Sequence, residues 1–359
     1  MKRVRTLLAL LLVGCSAPAA TTPPPPEPVN DAAADVANAV DAGATGFLTD
    51  ETTAVDGGNV LVDAVTYLSG SLVIHGRVCR PASGGPHPLV MLDHGGFEGI
   101  DLDTTSVSAC TGLASLGIVA AMSSYRGEDG SDGEVEVCLG EVDDVLAMKA
   151  ILVAEPWVTA DRVATVGFSH GACIATMSAL RDPSLRAVVD FFGPADVGAA
   201  YDFWQTELAS GEPFCASTGQ STGTCASMHQ YLVSRVTPAL GGTPSQQPAA
   251  YAARSPAPSL AELAVPIVIF QGTYDYAIDA SQACTKRALL APRAWYVDAS
   301  LAVGSSSLCG GGFETAPLPT TFPDPAYLFV YEGQGHGFDT AAYDSAGSIA
   351  MPFLLQRLE

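Results

Sequence analysis

Basic side chains are scarce in this chain: 16 Lys and Arg stand against 38 Asp and Glu, a formal charge of −22. A surface of that sign repels nucleic acid and anionic lipid heads, so neither is expected as a partner through charge. It carries no information about catalysis. Metal-ligand spacing is missing too. No C-x-x-C or H-x-x-x-H occurs among the 9 Cys and 6 His, so no metal is expected, and nothing calls for an organic cofactor. No internal repeat is found. The apolar run nearest the start, residues 7–13, is far short of the roughly 20 residues a membrane-spanning helix needs.

That run has another use. Lys2, Arg3 and Arg5 precede it and Gly14-Cys15 ends it, which is the layout of an export signal over residues 1–14. Leu12-Val13-Gly14-Cys15 also resembles the lipobox of bacterial lipoproteins. The resemblance implies cleavage before Cys15, lipid on that cysteine, and anchoring through several acyl chains. Ser16 behind it resembles sorting to the outer membrane. The expected location is therefore the cell envelope, with the lipid as the only membrane contact. Residues 15–57 are rich in Ala, Pro, Thr and Asp and read as a tether with too little apolar surface to form a core.

Residues 58–359, about 300 of them, are long enough for one large domain. Short apolar runs at 60–80 (two strands around Ser69-Gly70), 89–92, 118–122, 163–166, 187–191, 265–270 and 327–331 alternate with helical spacing at 141–153, 171–180 and 343–358. That alternation predicts an α/β architecture with a mainly parallel eight-stranded sheet flanked by helices. Residues 197–263 interrupt it. The stretch is rich in Gly, Pro, Ser and Gln and too long for a bare loop, so it reads as a cap over a site. Beyond Cys15, eight cysteines in an exported chain suggest disulfides. Of the 105 pairings eight cysteines allow, Cys215–Cys225 and Cys284–Cys309 are plausible because each pair flanks an insertion.

Gly167-Phe168-Ser169-His170-Gly171 lies between a buried strand and a helix. A G-x-S-x-G turn there exposes the serine oxygen beside the first N–H groups of the helix, because small flanking residues permit a sharp bend. A serine hydroxyl needs a base, and the base needs an acid to orient it. The chain order Ser, Asp, His is met by Asp275, just past one strand in Gly272-Thr273-Tyr274-Asp275, and by His336 in Gly335-His336-Gly337-Phe338 past another. Asp279 is the fallback acid. For an oxyanion the backbone N–H of His170 is one expected donor, and Gly96 or Phe97 in His94-Gly95-Gly96-Phe97 the other. His94 is expected to bond within its own loop, and only the backbone of His170 is assigned.

Taken together with Tyr125-Arg126-Gly127, Asp143-Asp144-Val145 and the stretch 251–256, these blocks resemble the dienelactone-hydrolase and prolyl-oligopeptidase-like branch of the α/β hydrolases, in order over most of residues 60–359. The resemblance implies an α/β-hydrolase fold and an acyl-enzyme on Ser169, with His336 as base and Asp275 as acid. There are departures: Ala172 where a second glycine is usual, Gln271 in place of a common histidine, a long Asp275-to-His336 interval with 298–325 inserted, and no propeller. Without a propeller to filter peptides, a carboxylic ester is the first expectation for the substrate. Cleavage of short peptides is the second, with Glu207 and Glu212 as candidates to hold a peptide N-terminus. A catalytically silent lipoprotein that keeps the fold for binding is the reading from another class, and the oligomeric state stays open.

Overall fold

The computed structural model describes residues 46–100, 105–290, 293–298, 307–316, 319 and 321–359. The export signal and Cys15 lie outside the described residues.

An antiparallel meander opens the chain: β1 (Thr49–Val55), β2 (Val60–Ser69) and β3 (Leu72–Pro81). β1 corrects the expected tether, which was carried to residue 57. Its side chains are nearly all exposed, so its composition reads as linker, yet the backbone ladder to β2 makes it the sheet's edge. Next come β4 (His87–Asp93), β5 (Val119–Ser123), β6 (Val158–Phe168), β7 (Val188–Phe191), β8 (Ile267–Gly272), β9 (Arg293–Asp298), β10 (Glu314–Ala316) and β11 (Ala326–Tyr331). The order across the sheet is β1-β2-β3-β5-β4-β6-β7-β8-β11-β9-β10. From β5 onward every pairing is parallel. The sheet thus has 11 strands among the described residues, not eight. The three additions are β1 and, in and beside the inserted stretch before residue 325, β9 and β10.

Central strands are buried on both faces, as a parallel sheet covered by helices requires. Along β4, Leu89 and Met91 enter one apolar cluster while Val90 and Leu92 enter the other. The first cluster is closed by α2 (Gly140–Leu152) and α3 (His170–Arg181), the second by α1 (Thr105–Ser115) and α9 (Thr340–Leu358).

Between β7 and β8 the expected cap is helical: α4 (Val197–Ser210), α5 (Pro213–Ser217), α6 (Thr222–Leu240) and α7 (Pro248–Ala253). Local chemistry sets its ends. The Asp196 carboxylate accepts from Ala199 N–H at the start of α4, and the Ser221 hydroxyl from Thr224 N–H at the start of α6. α4 and α6 close on left-handed Gly211 and Gly241. Tyr201, Trp204, Leu232 and Val236 turn inward to the first cluster, so the cap is packed on the sheet's C-terminal edge. Helix α8 (Ser281–Leu289) follows β8. Four disulfides cross-link the described residues: Cys79–Cys110, Cys138–Cys173, Cys215–Cys225 and Cys284–Cys309. The two expected local pairs are among them. Among the described residues no helix is long and apolar enough to cross a membrane.

Candidate active site

Parallel pairing brings three strand ends level. Phe168 of β6 is opposite Phe191 of β7, Phe191 opposite Phe270 of β8, and Gly272 of β8 opposite Tyr331 of β11. Loops leaving those ends therefore share one edge, the usual place for a site in an α/β sheet.

Ser169 is the single residue between β6 and α3, with φ 54° and ψ −119°, a conformation a non-glycine residue adopts only when its surroundings enforce it. They do so by crowding. A Cβ on Gly167 would meet the Gly171 carbonyl oxygen at 2.2 Å, and one on Gly171 the Asp93 carbonyl oxygen at 2.1 Å. Both glycines are required for the bend. The Ser169 N–H donates to Phe191 O at 2.9 Å, and the hydroxyl oxygen lies 3.0 Å from His336 Nε2.

The other face of His336 meets Asp275, with Nδ1 3.0 Å from each carboxylate oxygen. Asp275 is fully buried and further held: Oδ1 accepts from Ala277 N–H at 3.0 Å and Ile278 N–H at 2.8 Å, and Oδ2 from Gln271 Nε2 at 3.3 Å. Asp279, the fallback, instead accepts from Ser281 N–H at the start of α8. A hydroxyl, an imidazole and a buried carboxylate in this line can pass a proton from Ser169 to His336 while Asp275 fixes the tautomer.

Sequence reading missed the parts that hold this line. Phe192 has φ 45° and sets its ring edge-on to His336 at 4.8 Å. Its segment is pinned by a buried ion pair, in which Lys286 Nζ donates to Asp190 at 2.5 Å and to Gly193 O at 2.7 Å. Gln271 was noted only as a departure, yet it contacts the acid.

A cavity of about 490 Å³ opens above Ser169 and His336. Its walls include Val197, Trp204, Leu232 and Val236 from the cap and Phe97 and Ile278 from the body. Among the described residues the one carboxylate that lines it is Glu98, paired with Arg235 and accepting from the Tyr231 hydroxyl at 3.2 Å. Glu207 and Glu212 do not line it. Glu207 accepts from Phe214 N–H, and Glu212 faces His229 Nδ1 at 2.9 Å, both inside the cap.

Gly96, Phe97 and His170 all border the cavity. His94 bonds within its loop, Nδ1 to Gly95 O at 3.1 Å, and stacks on Tyr125 at 4.2 Å. Burial lowers the pKa of His94 to about 4 and raises that of Asp93 to about 7 and of Glu128 to about 9. Each of these shifts disfavours the charged form of a group beneath the His94–Phe97 loop. Among the described residues no group of three or more His, Cys, Asp or Glu is arranged to hold a metal ion.

Fold and site together define a serine hydrolase of the peptidase–esterase type on an α/β-hydrolase sheet. Residues 70–286 match the X-Pro dipeptidyl-peptidase (S15) family, and the chain belongs to that family. It is 23% identical over 218 residues to the uncharacterised peptidase YtmA of Bacillus subtilis (strain 168), covering 60% of this chain and 74% of YtmA. Among solved structures, puromycin hydrolase is similar over 87% of this chain with TM-score 0.56 and 18% identity. This chain covers 39% of that protein's length. Acetyl xylan esterase 1 from Thermoanaerobacterium sp. JW/SL YS485 is similar over 99% of this chain and 98% of its own, with TM-score 0.57 and 14% identity. At such identities the likeness to the two structures is one of fold.

Proposed function

We propose that this chain hydrolyses short peptides or related amides whose acyl side is apolar and uncharged, through an acyl-enzyme on Ser169. His336 takes the serine proton and returns it to the leaving group, Asp275 holds the imidazole, and water then releases the acid. The observation that carries the reading is the Ser169–His336–Asp275 hydrogen-bonded line at the floor of an apolar cavity. Membership of a peptidase family favours an amide as the scissile bond. The cavity favours a neutral acyl side, because among the described residues the one carboxylate lining it is already paired with Arg235, and both cap glutamates are engaged inside the cap.

A second reading is an esterase proper, the first expectation from the sequence. It is favoured by the same lack, among the described residues, of a free carboxylate in the cavity to hold an amine, and by the end-to-end fold likeness to an acetyl xylan esterase. An acyl-enzyme able to form from an amide forms more readily from an activated ester, so ester turnover alone does not separate the two.

The separating experiment uses three substrate sets: p-nitrophenyl esters of increasing acyl length, N-acylated aminoacyl-p-nitroanilides, and the same anilides with a free amine. Turnover of N-acylated anilides above the free-amine forms, lost in Ser169→Ala, is the expected result. Ester turnover without any anilide turnover selects the esterase. Preference for a free amine contradicts the neutral acyl side.

A further inference from the structure

The His170 imidazole makes two hydrogen bonds that the nucleophile's chemistry does not account for. Cys138 N–H donates to its Nε2 at 3.2 Å. Since an N–H requires an acceptor, Nε2 carries no proton and the ring proton sits on Nδ1. Nδ1–H then donates to the Gly96 carbonyl oxygen at 3.0 Å. Burial lowers the pKa of this ring to about 4, which keeps that neutral tautomer in place at neutral pH. The Phe97 ring lies 4.6 Å from it and the edge of Tyr125 6.1 Å, so the imidazole is held by packing as well as by its bonds.

Both partners are fixed. Cys138 is bonded to Cys173 on α3 and has φ 59°, following Val137 at φ 60°. Glu141, the second residue of α2, accepts through Oε1 from the N–H groups of Glu136 and Val137 and through Oε2 from that of Leu139. The amide that faces His170 is thus anchored on two helices. On the other side, Gly96 has φ 75°, a left-handed turn that a Cβ would disfavour.

The C=O of Gly96 and the N–H of Phe97 belong to one trans peptide unit, in which they point in opposite directions. Drawing the oxygen toward His170 turns the Phe97 N–H away from it. The turned N–H lies against the hydroxyl of Tyr231, which borders the cavity. With the peptide reversed, a carbonyl oxygen would face the cavity instead and repel a developing oxyanion.

Resting on the acyl-enzyme reading, we infer that the His170 side chain is a positioning residue that aims the Phe97 N–H at the substrate oxyanion. The same residue offers its backbone N–H, next to the nucleophile, as the other donor. The two donors are then set by one residue on one rigid helix, with the Phe97 N–H the donor aimed from the loop.

The test is His170→Leu beside His170→Gln in the whole protein, with rates expressed per site titrated by a fluorophosphonate. Loss of one oxyanion donor costs on the order of 10²–10³ in kcat. His170→Leu is expected to lose about that factor with KM little changed, and to bind a peptidyl trifluoromethyl ketone more weakly by a similar factor. His170→Gln is expected to recover most of both, because its amide offers a donor and an acceptor at about the spacing of the ring nitrogens. A merely structural role lowers the number of titratable sites without weakening the ketone selectively. Wild-type kcat and ketone affinity in His170→Leu overturn the inference. If His170→Leu does not fold, the pair Cys138→Ala and Cys173→Ala frees the Cys138 amide from its anchor. That double variant is expected to lower kcat severalfold at constant KM, and an unchanged kcat overturns the inference there. Wild-type protein that neither titrates nor turns over any substrate contradicts the hydrolase reading instead.

Discussion

Asp275 and Asp93 are carboxyls at strand ends in one sheet, both buried, yet their surroundings differ. Asp275 accepts two backbone N–H groups, the Gln271 amide and the imidazole of His336. Asp93 shares a hydrogen bond with the Thr165 hydroxyl at 2.5 Å, and burial raises its pKa from 3.8 to about 7. The folded state therefore prefers Asp93 protonated. Its stability is fully present below about pH 4 and is lost as pH rises toward about 7, after which the loss is constant. Asp93→Asn is neutral throughout, so its melting temperature relative to wild type should rise from about pH 4 to about pH 7 and then level off. A difference independent of pH contradicts the assignment. At this scale the reading from sequence was strong where one short motif sits within five residues of a strand end. Ser169, Asp275 and His336 all satisfy that condition. Phe192 and the side chain of His170 lie as close to strand ends, but their roles depend on which loops lie against them, and no local pattern encodes that.

Among the elements, the strand and helix alternation was legible because buried parallel strands are continuous apolar runs. β1 was not, because an edge strand whose side chains face water has the composition of a linker. β10 was missed because it lies in 298–325, which read as an insertion rich in Gly, Ser and Pro, and β9, which ends at Asp298, was missed beside it. The cap's existence followed from its length, but its inner wall did not, since the residues of α4 and α6 that face the cavity are chosen by how the helices dock. One tertiary contact joins β7, α8 and the site: Lys286, 1% exposed, paired with Asp190, 0% exposed. Removing one member of such a buried pair typically costs about 3–5 kcal/mol, because the other charge is left without a partner. Lys286→Met should lose stability of that order in urea denaturation, and adding Asp190→Asn should restore a large part of it. Single and double variants of equal stability would show that the pair does not couple in this way.

For the molecule as a whole, the sheet, the cap and the charge act on one site. The sheet levels the loops that carry Ser169, Asp275 and His336, and the cap covers them with an apolar wall. The surplus of acidic groups gives the molecule a net field that disfavours anionic substrates and is screened within about 8 Å at physiological salt. All of this predicts that one serine, and no other in the chain, is reactive.

The direct measurement is to label the intact protein with a fluorophosphonate and locate the adduct by peptide mass spectrometry. One adduct is expected, on Ser169, formed together with loss of all hydrolase activity and absent from Ser169→Ala. Folded protein that takes no label, or takes it on another residue with activity lost in step, would contradict it.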